Sequence, residues 1–189
     1  MIRELILKNR TYRRFYQNQI IGKDILGDLV DLARLSSSGA NLQPLKYIIS
    51  WEEEKNKKIF PHLKWAGYLK DWDGPIEGER PAAYIVILGD TAISRNYWWD
   101  HGIACQSILL GACEQRLGGC MFGAFDKDGL RKDLNISEQY EILVVIALGK
   151  PKENVVLERL EEGGDIKYWR DEAGVHHVPK RPLKDIILD

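Results

Sequence analysis

The chain is short of several features that usually announce a function. Its 189 residues include three cysteines, Cys105, Cys113 and Cys120, spaced eight and seven apart with no CxxC pair. That spacing argues for packed thiols and against a disulfide framework or a thiolate metal site. No apolar run approaches the roughly 20 residues that a membrane-spanning helix needs. The opening MIRELILKNR carries acid and base inside its apolar part and no cleavage-like site, so a signal peptide is not expected and a cytoplasmic location is. A formal net charge of -1 gives no reason to expect nucleic acid or a membrane as partner. GxxxxGK[ST], GxGxxG, GxSxG and HExxH are all missing, along with the phosphate-loop, dinucleotide, hydrolase and zinc-protease chemistries they serve. The four histidines, His62, His101, His176 and His177, come with no partners that would make a metal site, so none is expected. There are no internal repeats, and the length suits one domain with a real core.

What is present is organised around Asp100–Phe125, DHGIACQSILLGACEQRLGGCMFGAF. Asp100 is a good helix N-cap, and the residues after it are apolar on almost every side as far as Leu117. Ala104, Ser107 and Gly111, three and four apart, make a low ridge where another helix can approach, with Ile103, Leu110 and Leu117 as a second stripe. Gly118-Gly119 reads as the helix stop. Cys120–Phe125 reads as a strand whose small residues Gly123 and Ala124 let something flat lie against the backbone. A plain core helix and an ordinary strand remain the alternative for this stretch.

Elsewhere the spacing predicts helices over Ile2–Lys8, Gly22–Leu35, Glu52–Phe60 and Asp126–Leu134. In Gly22–Leu35 the inward face is Ile25, Leu29, Leu32 and Ala33. Strands are predicted over Leu45–Trp51, Ala82–Leu88 and Glu141–Gly149. Pro61–Pro81, with Trp65, Tyr68 and Trp72 among turn residues, suggests an ordered loop or short helices, and the tail after Pro151 an extended arm. Alternating strands and helices around one core make the class α/β or α+β.

Two basic clusters stand out. Lys8, Arg10, Arg13 and Arg14 fall within seven residues, with Thr11 between them, and Lys180, Arg181 and Lys184 repeat the pattern near the other end. Together they could converge on one phosphate, although either alone also reads as a solvated face. Ser38–Pro44, SGANLQP, offers amide donors and acceptors suited to the edge of a heteroaromatic ring, or is simply a loop.

Taken in order, these pieces resemble the FMN-dependent nitroreductase family. The matching stretches are NRTYRRF at Asn9–Phe15, SGANLQP at Ser38–Pro44, the apolar helix with its glycine turn and strand up to Phe125, the strand at Glu141–Pro151, and VPKR near the end. The resemblance implies an α+β fold, a mixed β-sheet wrapped by helices, built as an intertwined homodimer with FMN at the interface. Residues 1–189 would form one domain, with 150–189 an arm completing the FMN site. Arg10, Thr11 and Arg13 match the residues that hold the FMN phosphate and ribityl chain, with Lys180 or Arg181 closing over them. Ser38, Asn41 and Gln43 match the loop that the second subunit presents to the flavin. Gly123 and Ala124 match the strand whose amides face the ring near N5. Trp65, Tyr68 and Trp72 are candidates for stacking on the acceptor, with core packing the alternative.

The implied activity is NAD(P)H-driven, ping-pong reduction of a nitroaromatic, quinone or related small acceptor. Hydride transfer requires no side-chain acid or base, so no catalytic residue is assigned. A flavin carrier or sensor without turnover, and an offshoot with other flavin chemistry such as reductive dehalogenation, are the alternatives. The chain departs from the family pattern at Asn9, Ser37 and Leu45, and Trp65–Arg80 has no counterpart in it.

Overall fold

The computed structural model describes residues 1–188. Helices α1 (Ile2–Lys8), α2 (Lys23–Leu35), α3 (Glu53–Ile59), α4 (Asp100–Glu114) and α5 (Lys127–Asp133) surround a sheet of β1 (Leu45–Ser50), β2 (Ala83–Asp90), β3 (Gly118–Phe122) and β4 (Tyr140–Gly149). The strand order is β1-β2-β4-β3, and every neighbouring pair is antiparallel. The α+β class is the expected one.

Every residue of β2 is buried, because the sheet is covered on both faces. Ile85 and Ile87 point to α2 and α4, whereas Tyr84, Val86 and Leu88 point to the α3 and α5 side. Alternation along a strand therefore feeds two cores at once, and the strand reads as one continuous apolar run. The cysteines are free thiols, and burial pushes Cys105 and Cys120 up to about 12.

The low ridge on α4 is used within the chain. A Cβ on Gly111 would run into Leu32 and stand 3.0 Å from Leu29 Cδ2, and Ser107 Oγ shares a 2.7 Å hydrogen bond with Ser36 Oγ. The partner that approaches so closely is α2. On α2 itself Leu26 is buried in the place expected for Leu32, which is 40% exposed.

Two expectations about α4 need correction. Asp100 makes no capping bond, since Trp99 holds the cap position. Nor do Gly118 and Gly119 stop the helix. Arg116 does so in the left-handed conformation (φ 60), with its N–H on the Cys113 carbonyl and Leu117 N–H on that of Ala112. The two glycines open β3, so this strand starts and ends earlier than Cys120–Phe125 and leaves Gly123 and Ala124 beyond it.

The tail holds more structure than an arm. β5 (Val155–Arg159) pairs in parallel with β7 (His176–Lys180), and β6 (Trp169–Arg170) pairs with β7 in antiparallel fashion. Among the described residues this second sheet contains the one parallel pair of named strands.

Gly111→Leu should destabilise the fold by roughly 1–3 kcal/mol through overpacking. Gly111→Ala should cost less, because the Leu32 side chain can turn away. Urea unfolding of both variants checks this, and equal midpoints would contradict the packing described.

Candidate functional site

β3 is an edge strand, and the N-terminal segment runs across its start. Thr11 bridges to Gly119 in parallel fashion, with Tyr12 N–H on the Gly119 carbonyl at 3.0 Å. Gly118 is what permits this, since a Cβ there would collide with Tyr12. Gly119 instead makes room for the core, where a Cβ would stand 2.6 Å from the Ala147 carbonyl oxygen. Phe15, fully buried, lies so close to Gly149 that a Cβ there would be 2.7 Å from its ring. Burial of one phenyl side chain contributes roughly 1.5–3 kcal/mol to holding the segment down.

Two buried carboxylates finish the anchoring. Glu153 accepts the backbone N–H of Arg13 and of Arg14, and also Arg170 Nη2 at 3.0 Å. Glu79 accepts Arg14 Nε at 2.5 Å and Nη2 at 2.7 Å, with Lys152 Nζ at 3.0 Å. The Arg14 fork first, then burial's opposing effect and Lys152, leave the Glu79 carboxyl well down, at about 2.

The sequence-predicted residues fall into two groups. Arg10, Thr11 and Arg13 lie at the start of β3, and Gly123 and Ala124 at its end. A Cβ on Gly123 would stand in open space. Leu63 bridges to Phe125 and Lys64 N–H donates to the Ala124 carbonyl, which brings the aromatic loop here too. Trp65 packs edge-on against Phe122 at 4.6 Å and against Trp72 at 6.1 Å, whereas Tyr68 is 48% exposed. Ser38, Asn41 and Gln43 form the second group, just before β1 on the opposite edge of the sheet. Three strand spacings of roughly 4.8 Å, about 14 Å in all, separate the two edges.

Lys180 and Arg181 are exposed and make no side-chain hydrogen bond or ion pair among the described residues. What meets Arg13 from the second sheet is a pair of groups the sequence reading passed over. The guanidinium lies 4.6 Å over the Tyr168 ring and donates from Nη1 to His176 Nε2 at 3.2 Å. Tyr168 in turn lies 4.9 Å from Tyr68, and Arg170 lies 4.8 Å over Trp72. Burial, then the Arg13 and Arg170 cations, pull His176 down to about 4. The neutral imidazole accepts from Arg13 at Nε2, so its proton is on Nδ1, which finds no acceptor. His177, on the other face of β7, stacks on Trp169 at 4.1 Å and meets Glu158 and Asp171. Only the adjacency of the two histidines beside a basic tail hinted at any of this.

Donors without an acceptor recur around this edge: Arg10 Nε, Trp65 Nε1 and His176 Nδ1. That donor set suits an acceptor-rich, anionic ligand with phosphoryl and carbonyl oxygens. A separate cleft of about 630 Å³, lined by Trp51, Phe60, Arg80 and Tyr84, lies where β1 ends and β2 begins.

A model of the nitroreductase family matches residues 6–150. The chain belongs to the nitroreductase family. A protein of Archaeoglobus fulgidus assigned as an NADH dehydrogenase/NAD(P)H nitroreductase is 27% identical over 158 residues, covering 79% of this chain and 85% of its own. Among solved structures, a nitroreductase family protein from Streptococcus pneumoniae matches 100% of both chains at 16% identity with a TM-score of 0.70. An FMN-dependent nitroreductase from Clostridium difficile covers 82% of this chain and 89% of its own, at 22% identity and a TM-score of 0.64. The second sheet of this family member lies beyond the matched residues, so the contacts of Tyr168 and His176 with Arg13 are outside what the family model describes.

Glu79 gives a pH test of the anchoring. A carboxyl held below its ordinary 4.5 stabilises the fold above that pH, and the contribution fades as pH falls towards about 2. Glu79→Gln should therefore be less stable than the parent at neutral pH, with the gap narrowing on acidification across that window. Urea midpoints at matched pH values check it, and a gap independent of pH would contradict the assignment.

Proposed function

We propose that the protein is an FMN-dependent oxidoreductase, a homodimer that takes reducing equivalents from NAD(P)H and passes them to a nitroaromatic, a quinone or a related small acceptor. Residues 1–189 act as one nitroreductase-like domain, with 150–189 completing the site. The observation that carries this reading is the split of the candidate residues between opposite edges of one sheet. Thr11, Arg13, Gly123 and Ala124 flank β3, while Ser38, Asn41 and Gln43 precede β1. One copy cannot bring them together, and a second copy presenting its loop to the first can. Continuous with that loop, Trp98, Trp99 and Ile103 border an open depression of about 590 Å³ on α4, with Trp99 77% exposed. An apolar patch of this kind on a helix end is characteristic of a protein interface.

Supporting the cofactor are the unspent donors around β3 and the family membership, with the Clostridium difficile relative named as FMN-dependent. FMN, when bound, supplies the hydride and electron chemistry. The chain's part is to bind and orient. Arg10, Thr11 and Arg13 take the phosphate and ribityl end, and Gly123 and Ala124 admit the ring. Trp65, Tyr68 and Trp72 wall the acceptor side. Lys180 and Arg181 supply positive charge from the arm.

The purified protein should be yellow, and anaerobic NADH or NADPH should bleach it. Menadione or a nitroarene should then restore the colour. Bound FMN that neither nucleotide reduces would overturn the donor assignment.

A further inference from the structure

We infer that Asp100 is the positioning residue of the flavin-contacting loop, acting through Ser38. The inference rests on the reading of Ser38–Pro44 as that loop. Asp100 opens α4, is 4% exposed and caps nothing in its own helix. Its Oδ2 accepts the Ser38 hydroxyl at 2.6 Å, and its Oδ1 accepts the Gly39 N–H at 2.8 Å. Ser38 Oγ in turn accepts the Gln43 N–H at 2.9 Å. One carboxylate thus holds the near end of the loop directly and the far end through a single hydroxyl.

The loop needs such a clamp. Ala40, Asn41 and Gln43 all have positive φ, at 49, 55 and 52°, in a stretch where none of them is glycine. Non-glycine residues keep that conformation only where the surroundings over-determine it. The other wall is Trp98, whose ring lies so close to Gly39 that any Cβ there would overlap it. A carboxylate at the start of a helix also sits where the peptide dipoles favour negative charge.

The clamp fixes the division of labour in the loop. Ser38 has one hydroxyl proton, and Asp100 takes it, so Ser38 has none to give to a phosphate or a flavin carbonyl. The exposed side chains of Asn41 and Gln43 are left as the contact groups.

The test is a double-mutant cycle on FMN affinity. Asp100→Asn keeps the shape but can no longer accept from both Ser38 and Gly39, and Ser38→Ala removes the relay. Each should raise the FMN Kd about tenfold, the effect of losing a charge-assisted hydrogen bond, and the double variant should rise no further than the worse single. Additive effects, or an Asp100→Asn protein with a lowered thermal midpoint and an unchanged Kd, would overturn the proposal. Should Asp100→Asn fail to fold, Ser38→Ala decides: the Gln43 amide should exchange faster with solvent while the Kd rises. A raised Kd with unchanged exchange would make Ser38 a direct ligand instead. A parent protein that takes no FMN removes the flavin reading itself, whereas a parent that binds while Asp100→Asn binds equally well removes this inference alone.

Discussion

The passage of residues 11–15 over the glycine-lined start of β3 is the constraint on which the site depends. Two glycines, Gly118 and Gly149, remove the side chains that would lift the segment away, while Gly119 clears the core beside Ala147 and Leu109. Glu153 then satisfies two consecutive backbone N–H groups and binds Arg170 from the second sheet. A buried carboxylate with three donors is stable, but the same group with its partners removed would be strongly destabilising. The result is that Thr11 and Arg13 can occupy only one position relative to the free edge of β3, and the second sheet is tied to that position as well.

On the other edge of the sheet the logic is similar and the materials differ. Helix α4 packs so closely on α2 that its first residue can reach the loop before β1, and Asp100 sets that loop's shape. The helix thus links the core to one half of the site, while the N-terminal segment links the core to the other. Since the halves lie on opposite edges, the proposed site takes one half from each of two chains.

Much of the fold was legible in the sequence because it is local. The 3.6-residue periodicity of α2 and the apolar runs of β2 and β4 announce themselves within a dozen residues. What misled was non-local. Gly118-Gly119 resembles a helix stop, yet Gly118 makes room for Tyr12, more than a hundred residues earlier, and Gly119 for Leu109 and Ala147, while Arg116 stops the helix without glycine. Asp100 resembles an N-cap, yet its partners are at Ser38 and Gly39. In the tail, the strands are short and only partly buried, so no periodic signal marks them, and β5 finds its partner β7 across some twenty intervening residues. The motif residues themselves were legible by kind, whereas the burial of Arg13 between Tyr168 and His176 depends on a sheet that those motifs do not contain.

In the proposed complex FMN lies along the outer flank of β3 with a partner's loop against it. Backbone hydrogen exchange, compared with and without FMN, tests this most directly. Protection should appear together in residues 9–15, 38–43 and 119–125. Protection confined to other segments, such as the cleft beside Trp51 and Arg80, or no protection at all, would contradict it.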